Sequence, residues 1–148
     1  MRLAIICAGL LVLTACGQGA ETRPEATPPP DQVFRFELTQ QPDPLRSGQA
    51  ATWVLALTNT GDEEIVAEMP SGQKGDIVLR RDGQEVYRWS EGRAFTMALV
   101  NEAFEPGETK TFELEEDELD VEPGDYQLEA TSTAVPQPSP ITRTVRVE

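Results

Sequence analysis

The stretch DIVLRRDGQEVYRW, residues 76–89, decides the fold. Two runs of alternating apolar and polar side chains, 76–81 and 84–89, stand on either side of Asp82 and Gly83. An Asp-Gly pair between two such runs is among the strongest short signals for a β-hairpin. The stretch therefore predicts two neighbouring antiparallel strands.

The same period of two recurs before and after this hairpin. The other alternating runs are VFRFELTQ (33–40), ATWVLALTNT (51–60), EEIVAEM (63–69), TKTFELE (109–115), DYQLEATST (125–133) and ITRTVRV (141–147). In the first of them, Phe34, Phe36 and Leu38 share one face, and Arg35 and Glu37 share the other. Short strands separated by turns, with no convincing period of 3.6, predict an all-β fold. We expect an immunoglobulin-like antiparallel β-sandwich of about 7–9 strands.

Three stretches leave their local structure open or irregular. AFTMALVNEAF (94–104) fits either a strand or a short helical connection, and the acidic ELEEDELDVEPGD (113–125) is interpreted as a strand end with a solvated loop. In PGDYQLEAT (123–131), Tyr126 resembles the tyrosine whose hydroxyl caps the backbone at a corner of immunoglobulin-like sandwiches. The alternative for Tyr126 is an ordinary cross-strand aromatic.

The beginning of the chain predicts its location. Met1 and Arg2 precede an apolar run over 3–13, which is shorter than the about 20 residues that span a bilayer and has the length of a signal-peptide core. The run ends in LTAC, 13–16, which looks like a bacterial lipobox. We therefore expect a lipoprotein signal peptide over residues 1–15 and lipidation of Cys16. The protein would then be lipid-anchored outside the cytoplasm, on the cell membrane or the outer membrane.

The residues after Cys16 divide into a tether and a domain. GQGAETRPEATPPPDQ, 17–32, has four prolines and no apolar periodicity, which is typical of a linker. We therefore expect residues 16–32 to be the lipidated Cys and a Pro-rich tether, and residues 33–148 to form one folded domain.

Composition argues against an enzyme. The chain has no His, so a hydroxyl nucleophile would lack its usual base and a Cys/His metal site cannot form. We expect no catalytic residues, no metal and no cofactor. The formal net charge of −14 repels nucleic acid and favours a protein partner, by long-range attraction a basic one.

Four stretches together resemble one known family. They are LTNTGDEEI (57–65), SGQKGDIVLRRDGQEVYRWSEGRAFTMAL (71–99), FEPGETKTFEL (104–114) and PGDYQLEAT (123–131). In this order and spacing they resemble the BsuPI domain, the family of a bacterial intracellular proteinase inhibitor. The resemblance implies a small β-sandwich that binds protein, and through the family name it implies inhibition of a proteinase. The alternative is a non-inhibitory structural or accessory envelope lipoprotein that docks onto another protein.

The first candidate binding surface is the loop PSGQKGD, residues 70–76, called here the first loop. Its candidate residues are Ser71, Gly72, Gln73, Lys74 and Asp76. We expect Lys74 to be exposed in the middle of the loop, where it would suit a trypsin-like pocket that carries a carboxylate. The alternative is a structural turn in which Ser71 and Asp76 bond the loop's own amides.

The second candidate surface consists of Arg88, Trp89, Ser90 and Arg93. The alternative is that Trp89 and Phe95 pack in the core and close the end of the sandwich. We expect Arg88 and Arg93 to pair with the acid-rich surface rather than to mark a nucleic-acid patch.

Overall fold

A computed structural model describes residues 33–148 of the protein. These residues form nine strands: β1 Phe34–Gln41, β2 Ala51–Asn59, β3 Ile65–Met69, β4 Gly75–Arg81, β5 Gln84–Arg88, β6 Val100–Phe104, β7 Thr109–Glu116, β8 Gly124–Ser132 and β9 Ile141–Val147. The predicted all-β class and the strand number are confirmed.

The strands form two main sheets and one small one. One sheet has the order β1-β2-β7, the facing sheet has the order β5-β4-β8-β9, and β3 pairs with β6 beside them. All these pairings are antiparallel. Strands distant in sequence lie side by side in both sheets, as in the two sheets of an immunoglobulin-like sandwich. The predicted architecture is therefore confirmed.

The hairpin predicted from residues 76–89 is the β4–β5 hairpin. Asp82 and Gly83 both have a positive φ, of 53° and 80°, as a type I′ turn requires. Gly83 adopts this conformation without the clash that a Cβ would bring. The local twist of this turn matches that of the flanking strands, so it sets the pairs Arg81–Gln84 and Arg80–Glu85, and a bulge then shifts the register so that Leu79 pairs with Tyr87.

The core lies between the two main sheets and follows the predicted alternation. On β2, Trp53, Leu55 and Leu57 are fully buried, whereas Val54 and Ala56 are half-buried. The largest cluster joins Trp53 and Leu55 with side chains of the facing sheet. A second, smaller cluster under the β3–β6 pair contains Phe34, Leu57, Ala67, Met69, Phe104 and Ala134.

Tyr126 occupies a tyrosine corner. Its ring is buried near the start of β8, and its hydroxyl donates a 2.6 Å hydrogen bond to the carbonyl oxygen of Glu122. A tyrosine that bonds the backbone a few residues upstream marks this corner in immunoglobulin-like sandwiches. Of the two interpretations, the corner is confirmed.

The structure also shows the form of residues 94–104 and of the acidic stretch after β7. Residues 93–99 run without a turn, a bend or regular structure, and 100–104 form β6, so the helical alternative for 94–104 is wrong. The acidic loop after β7 is not wholly solvated, because Leu119 and Val121 are buried in the larger core cluster.

The predicted signal peptide, Cys16 and the tether to residue 32 lie outside the described residues. Within 33–148 no helix is long and apolar enough to cross a membrane.

Candidate functional site

The first loop is fastened to the end of β8. Thr133 donates its hydroxyl to the carbonyl oxygen of Gln73 at 2.6 Å and its amide to that of Lys74 at 3.1 Å. Within the loop, the Gln73 amide bonds the Ser71 hydroxyl at 3.2 Å, and the Gln73 side chain bonds the carbonyl oxygen of Gly75. The Ser71 contact is one that the structural-turn interpretation predicts. The loop is therefore a fixed turn between β3 and β4.

Lys74 does not project from the loop, and the expectation that it is an exposed basic residue is wrong. Its side chain is 22% exposed, and its Nζ lies 3.9 Å from Glu102 Oε1 on β6. The same Nζ lies 5.9 Å from the centre of the Phe112 ring on β7. A Lys side chain is stabilised when its aliphatic part packs on apolar surface and its ammonium group lies near a carboxylate. Its neighbours therefore hold Lys74 against the domain.

Asp76 joins the two candidate surfaces into one polar network. Its Oδ1 accepts hydrogen bonds from the amides of Ile77 and Ser90, each at 3.0 Å. Its Oδ2 accepts from the Ser90 hydroxyl at 2.7 Å and from Arg88 Nη1 at 2.9 Å. Asp76 was expected to bond amides of its own loop, but most of its bonds reach the end of β5. The carboxylate is buried and holds the chain that follows the hairpin.

Arg88 is paired with two acids, as the alternative for the second surface predicts. Its guanidinium makes a two-pronged contact with Glu85, at 2.8 Å and 2.7 Å, in addition to the bond to Asp76. The hydrogen bonds to Glu85 and then to Asp76 raise the pKa of Arg88, and the bond from Arg88 lowers the pKa of Glu85. Three of its donors are therefore already used within the domain.

Trp89 is part of the core, so its assignment to an exposed surface is wrong. The residue is 8% exposed, its ring lies 5.7 Å from that of Phe95, and its indole Nε1 donates to the Glu115 carbonyl oxygen at 2.9 Å. Buried Trp side chains take such a partner because an unpaired N–H is costly to bury. The core alternative for Trp89 and Phe95 is confirmed.

Arg93 covers the Trp89 ring and ties it to β7. The guanidinium carbon lies 4.5 Å from the ring centre, and Nε donates to the Trp89 carbonyl oxygen at 2.7 Å. Nη2 donates to the Glu115 carbonyl oxygen at 2.9 Å and to Glu116 Oε2 at 3.1 Å. A cation over an aromatic face adds attraction to these bonds. Arg93 therefore fixes the start of the segment that follows it.

Glu116 is a site residue that the sequence analysis missed. Its Oε2 accepts a 2.7 Å hydrogen bond from the Tyr87 hydroxyl as well as the bond from Arg93. Burial alone would raise the pKa of Glu116, but the bonds from Tyr87 and Arg93 together outweigh it and lower the pKa. Burial and the Glu116 bond raise the pKa of Tyr87. Alternation along β7 was the available signal, because it places Glu116 on the face of Phe112 and Leu114.

The most exposed apolar side chains near this network belong to residues 96–100, called here the 96–100 segment. Met97 is 90% exposed, Leu99 57% and Val100 38%. The segment is attached to the first loop, because the Gly72 amide donates to the Thr96 carbonyl oxygen at 2.8 Å. Apart from Asp76, it is here that the first loop and the chain after the hairpin meet.

The described residues show no metal site and define a class of protein. No group of three or more His, Cys, Asp or Glu in residues 33–148 is placed to hold a metal ion. The described chain is an immunoglobulin-like sandwich domain with two loops tied together on one side. The family of the BsuPI intracellular proteinase inhibitor matches residues 37–137, and the chain belongs to this family.

Several solved structures are similar to this chain at low identity. A sporulation control protein from Bacillus subtilis is 12% identical with a TM-score of 0.50, over 79% of this chain and 50% of that one. A β-glucosidase from Erythrobacter marinus is 14% identical with a TM-score of 0.44, over 78% of this chain and 16% of that one. A CARDB domain from Pyrococcus furiosus is 16% identical with a TM-score of 0.42, over 78% and 94%. The chain thus spans about one sixth of the β-glucosidase and half of the sporulation protein. No curated protein matches the chain.

Proposed function

We propose that this protein is a lipid-anchored, extracytoplasmic lipoprotein whose sandwich domain binds a proteinase and obstructs its active site. The observation that carries the inhibitory part is the family match over residues 37–137. The domain would act without chemistry of its own, by occupying the cleft. Its partner would be a proteinase of the cell envelope, and it would need neither a cofactor nor nucleic acid.

The fixed loops support an inhibitory role. An inhibitor must present a segment that enters a cleft and yet resists productive cleavage, which requires firmly held ends. Asp76 fixes the chain after the hairpin, and Arg93 fixes the start of the next segment through Glu115 and Glu116. Because such a segment is ordered before binding, less conformational entropy is lost in the complex.

The anchoring part of the proposal rests on LTAC, residues 13–16, and on the apolar run before it. A lipidated Cys of this kind would carry two or three acyl chains. Burial of acyl carbons is worth about 0.8 kcal/mol per CH₂, and two or more chains anchor a protein stably. Residues 17–32 would then tether the domain outside the membrane.

The test is a proteinase inhibition assay. The full chain, purified in mild detergent, is titrated into serine proteinases and metalloproteinases, and the residual activity on a peptide substrate is measured. We expect saturable loss of activity of at least one enzyme, with the chain recovered intact. A Leu55→Asp variant is the matched control, because a charge on this fully buried side chain disrupts the fold and must abolish the effect.

Other results of this assay decide against inhibition. Degradation of the chain as a competing substrate, or full activity of every enzyme, would contradict the inhibitory role. Either result would favour an accessory envelope lipoprotein that docks onto another protein.

A further inference from the structure

The 96–100 segment is the surface on which the apolar exposure of this domain concentrates. Met97 is the most exposed of the large hydrophobic side chains in the described part of the chain. Residues 94–100 carry no charge in a protein with a net charge of −14, although Arg93 directly precedes them and Glu102 follows. Exposed apolar side chains grouped in this way mark interaction sites.

The segment is held at both ends by the same piece of chain. The Gly72 amide bonds the Thr96 carbonyl oxygen, and Met69 pairs with Val100 at the end of the β3–β6 ladder. Between these two pairs lie two residues on the first-loop side, 70 and 71, but three on the other side, 97–99. The 97–99 side therefore carries one extra residue, as one strand does at a β-bulge, and all three of its residues are exposed.

Phe95, which directly precedes the 96–100 segment, attaches the segment to the core. Phe95 packs on the larger core cluster and stacks 5.7 Å from Trp89, whose ring is covered by Arg93. From Arg93 to the start of β6 only Phe95 is partly buried, the other residues are exposed, and the chain makes no turn or bend. An exposed segment that is held in place before binding is accessible to a partner that adds to it by strand pairing.

We propose that the 96–100 segment enters the active-site cleft of an endoproteinase with an apolar primary specificity pocket, and that Met97 fills this pocket. The inference rests on the proposed function and names the partner class for it. An unbranched, flexible Met adapts to an apolar pocket, and no charge has to be desolvated with it. Lys74, the basic alternative, is held against Glu102 and Phe112.

The experiment gives position 97 a negative or a positive charge and measures which proteinases are still inhibited. The full chain in mild detergent is assayed against proteinases with apolar primary pockets, chymotrypsin among them, and against trypsin, whose pocket carries an aspartate. We expect wild type to inhibit an enzyme of the apolar class. Met97→Asp should weaken that inhibition by about 100-fold or more, the size of effect seen for central contact residues. Met97→Lys should shift inhibition towards trypsin.

The matched control is Val66→Asp, which places the same charge on β3 at a side chain that is 55% exposed. It should leave inhibition unchanged. Thermal unfolding checks that both variants fold, as expected for exposed positions.

Three outcomes overturn the proposal, and they are distinguishable from one another. If wild type inhibits no proteinase, the proposed function fails and the inference falls with it. If wild type inhibits but Met97→Asp inhibits equally well, the function stands and the 96–100 segment is not the contact. Equal loss in Val66→Asp would show that the added negative charge, and not the loss of Met97 from a pocket, weakens inhibition.

Discussion

Asp76 shows how one buried carboxylate organises a surface. Its two oxygens accept four hydrogen bonds, and these fix Ser90 and Arg88 relative to the start of β4. Hydrogen bonds to a charged group are the stronger ones in proteins. The position of the chain directly after β5 therefore depends on a side chain of the first loop.

Trp89 carries the first prediction at the residue scale. Trp89→Ala should lower the free energy of unfolding by about 3–5 kcal/mol, because it empties a buried site and removes the support of Phe95 and Arg93. Urea denaturation measures the loss. Trp89→Phe keeps most of the packing and should cost clearly less. A near-normal unfolding midpoint for Trp89→Ala would contradict the core assignment.

Glu116 carries a pH prediction. Its pKa is lowered in the fold from an ordinary value of 4.5, so its ionised form stabilises the protein above that pH. This stability is lost as the pH falls through the lower, folded value. Glu116→Gln should therefore melt below wild type at pH 7 and lose less of its melting temperature on acidification to pH 3. Glu113→Gln, on the exposed face of β7, is the control and should follow wild type throughout.

At the element scale, β4 lies unusually close to its neighbours at Gly75. A Cβ built on Gly75 would overlap Leu55 Cδ1 and approach the carbonyl oxygen of Thr131 to 2.5 Å. Thr131 belongs to the pairing partner β8, and its backbone cannot yield without disturbing the ladder. The glycine thus permits the contact between β4, β2 and β8 that begins the sandwich core at this point.

Gly75→Ala should therefore destabilise the domain. Overpacking a tight site typically costs about 1–3 kcal/mol, and here one of the clashing atoms is backbone. Guanidinium denaturation gives the change in midpoint. An unchanged midpoint would show that the strands separate at this point without cost.

The tyrosine corner gives a second test at this scale. Tyr126→Phe removes only the hydroxyl that bonds the Glu122 carbonyl oxygen between β7 and β8. The expected cost is about 1 kcal/mol, the usual net value of one such hydrogen bond. Urea unfolding of the variant against wild type measures it. A loss of several kcal/mol would mean that the ring, and not the bond, has been displaced.

The strands were predictable because their signals are local. Alternation on β2 and the Asp-Gly turn of residues 82–83 depend on neighbours in sequence, and both are confirmed. The course of residues 93–99 was not predictable, since it is set by bonds such as that from Gly72 to Thr96 across the fold. The prediction that Lys74 is exposed was wrong for the same reason: Glu102 and Phe112, which its side chain approaches, come from strands distant in sequence. Glu116 was overlooked because it stands in a run of acids.

At the scale of the whole molecule, the proposed attachment to a membrane depends on Cys16. Cys16→Ser should accumulate as an unlipidated precursor that no longer fractionates as a mature lipoprotein, because the residue that would be acylated is gone. Membrane fractionation and intact-mass spectrometry measure both effects. Detection of the variant at mature mass with acyl chains attached would contradict the lipobox interpretation.

The course of β1 and β2 determines which end of the domain would be joined to such an anchor. Val33, where the tether would join, lies at the end of the sheet where Phe34 pairs with Asn59. Glu115 and Glu116, which hold Arg93, pair with Thr52 and Ala51 at the opposite end, roughly 23 Å away at about 3.3 Å per strand residue. The tether itself would reach up to roughly 50 Å. The end bearing Val33 would therefore be the one joined to the tether, and the Arg93 end would be the one farthest from that point of attachment.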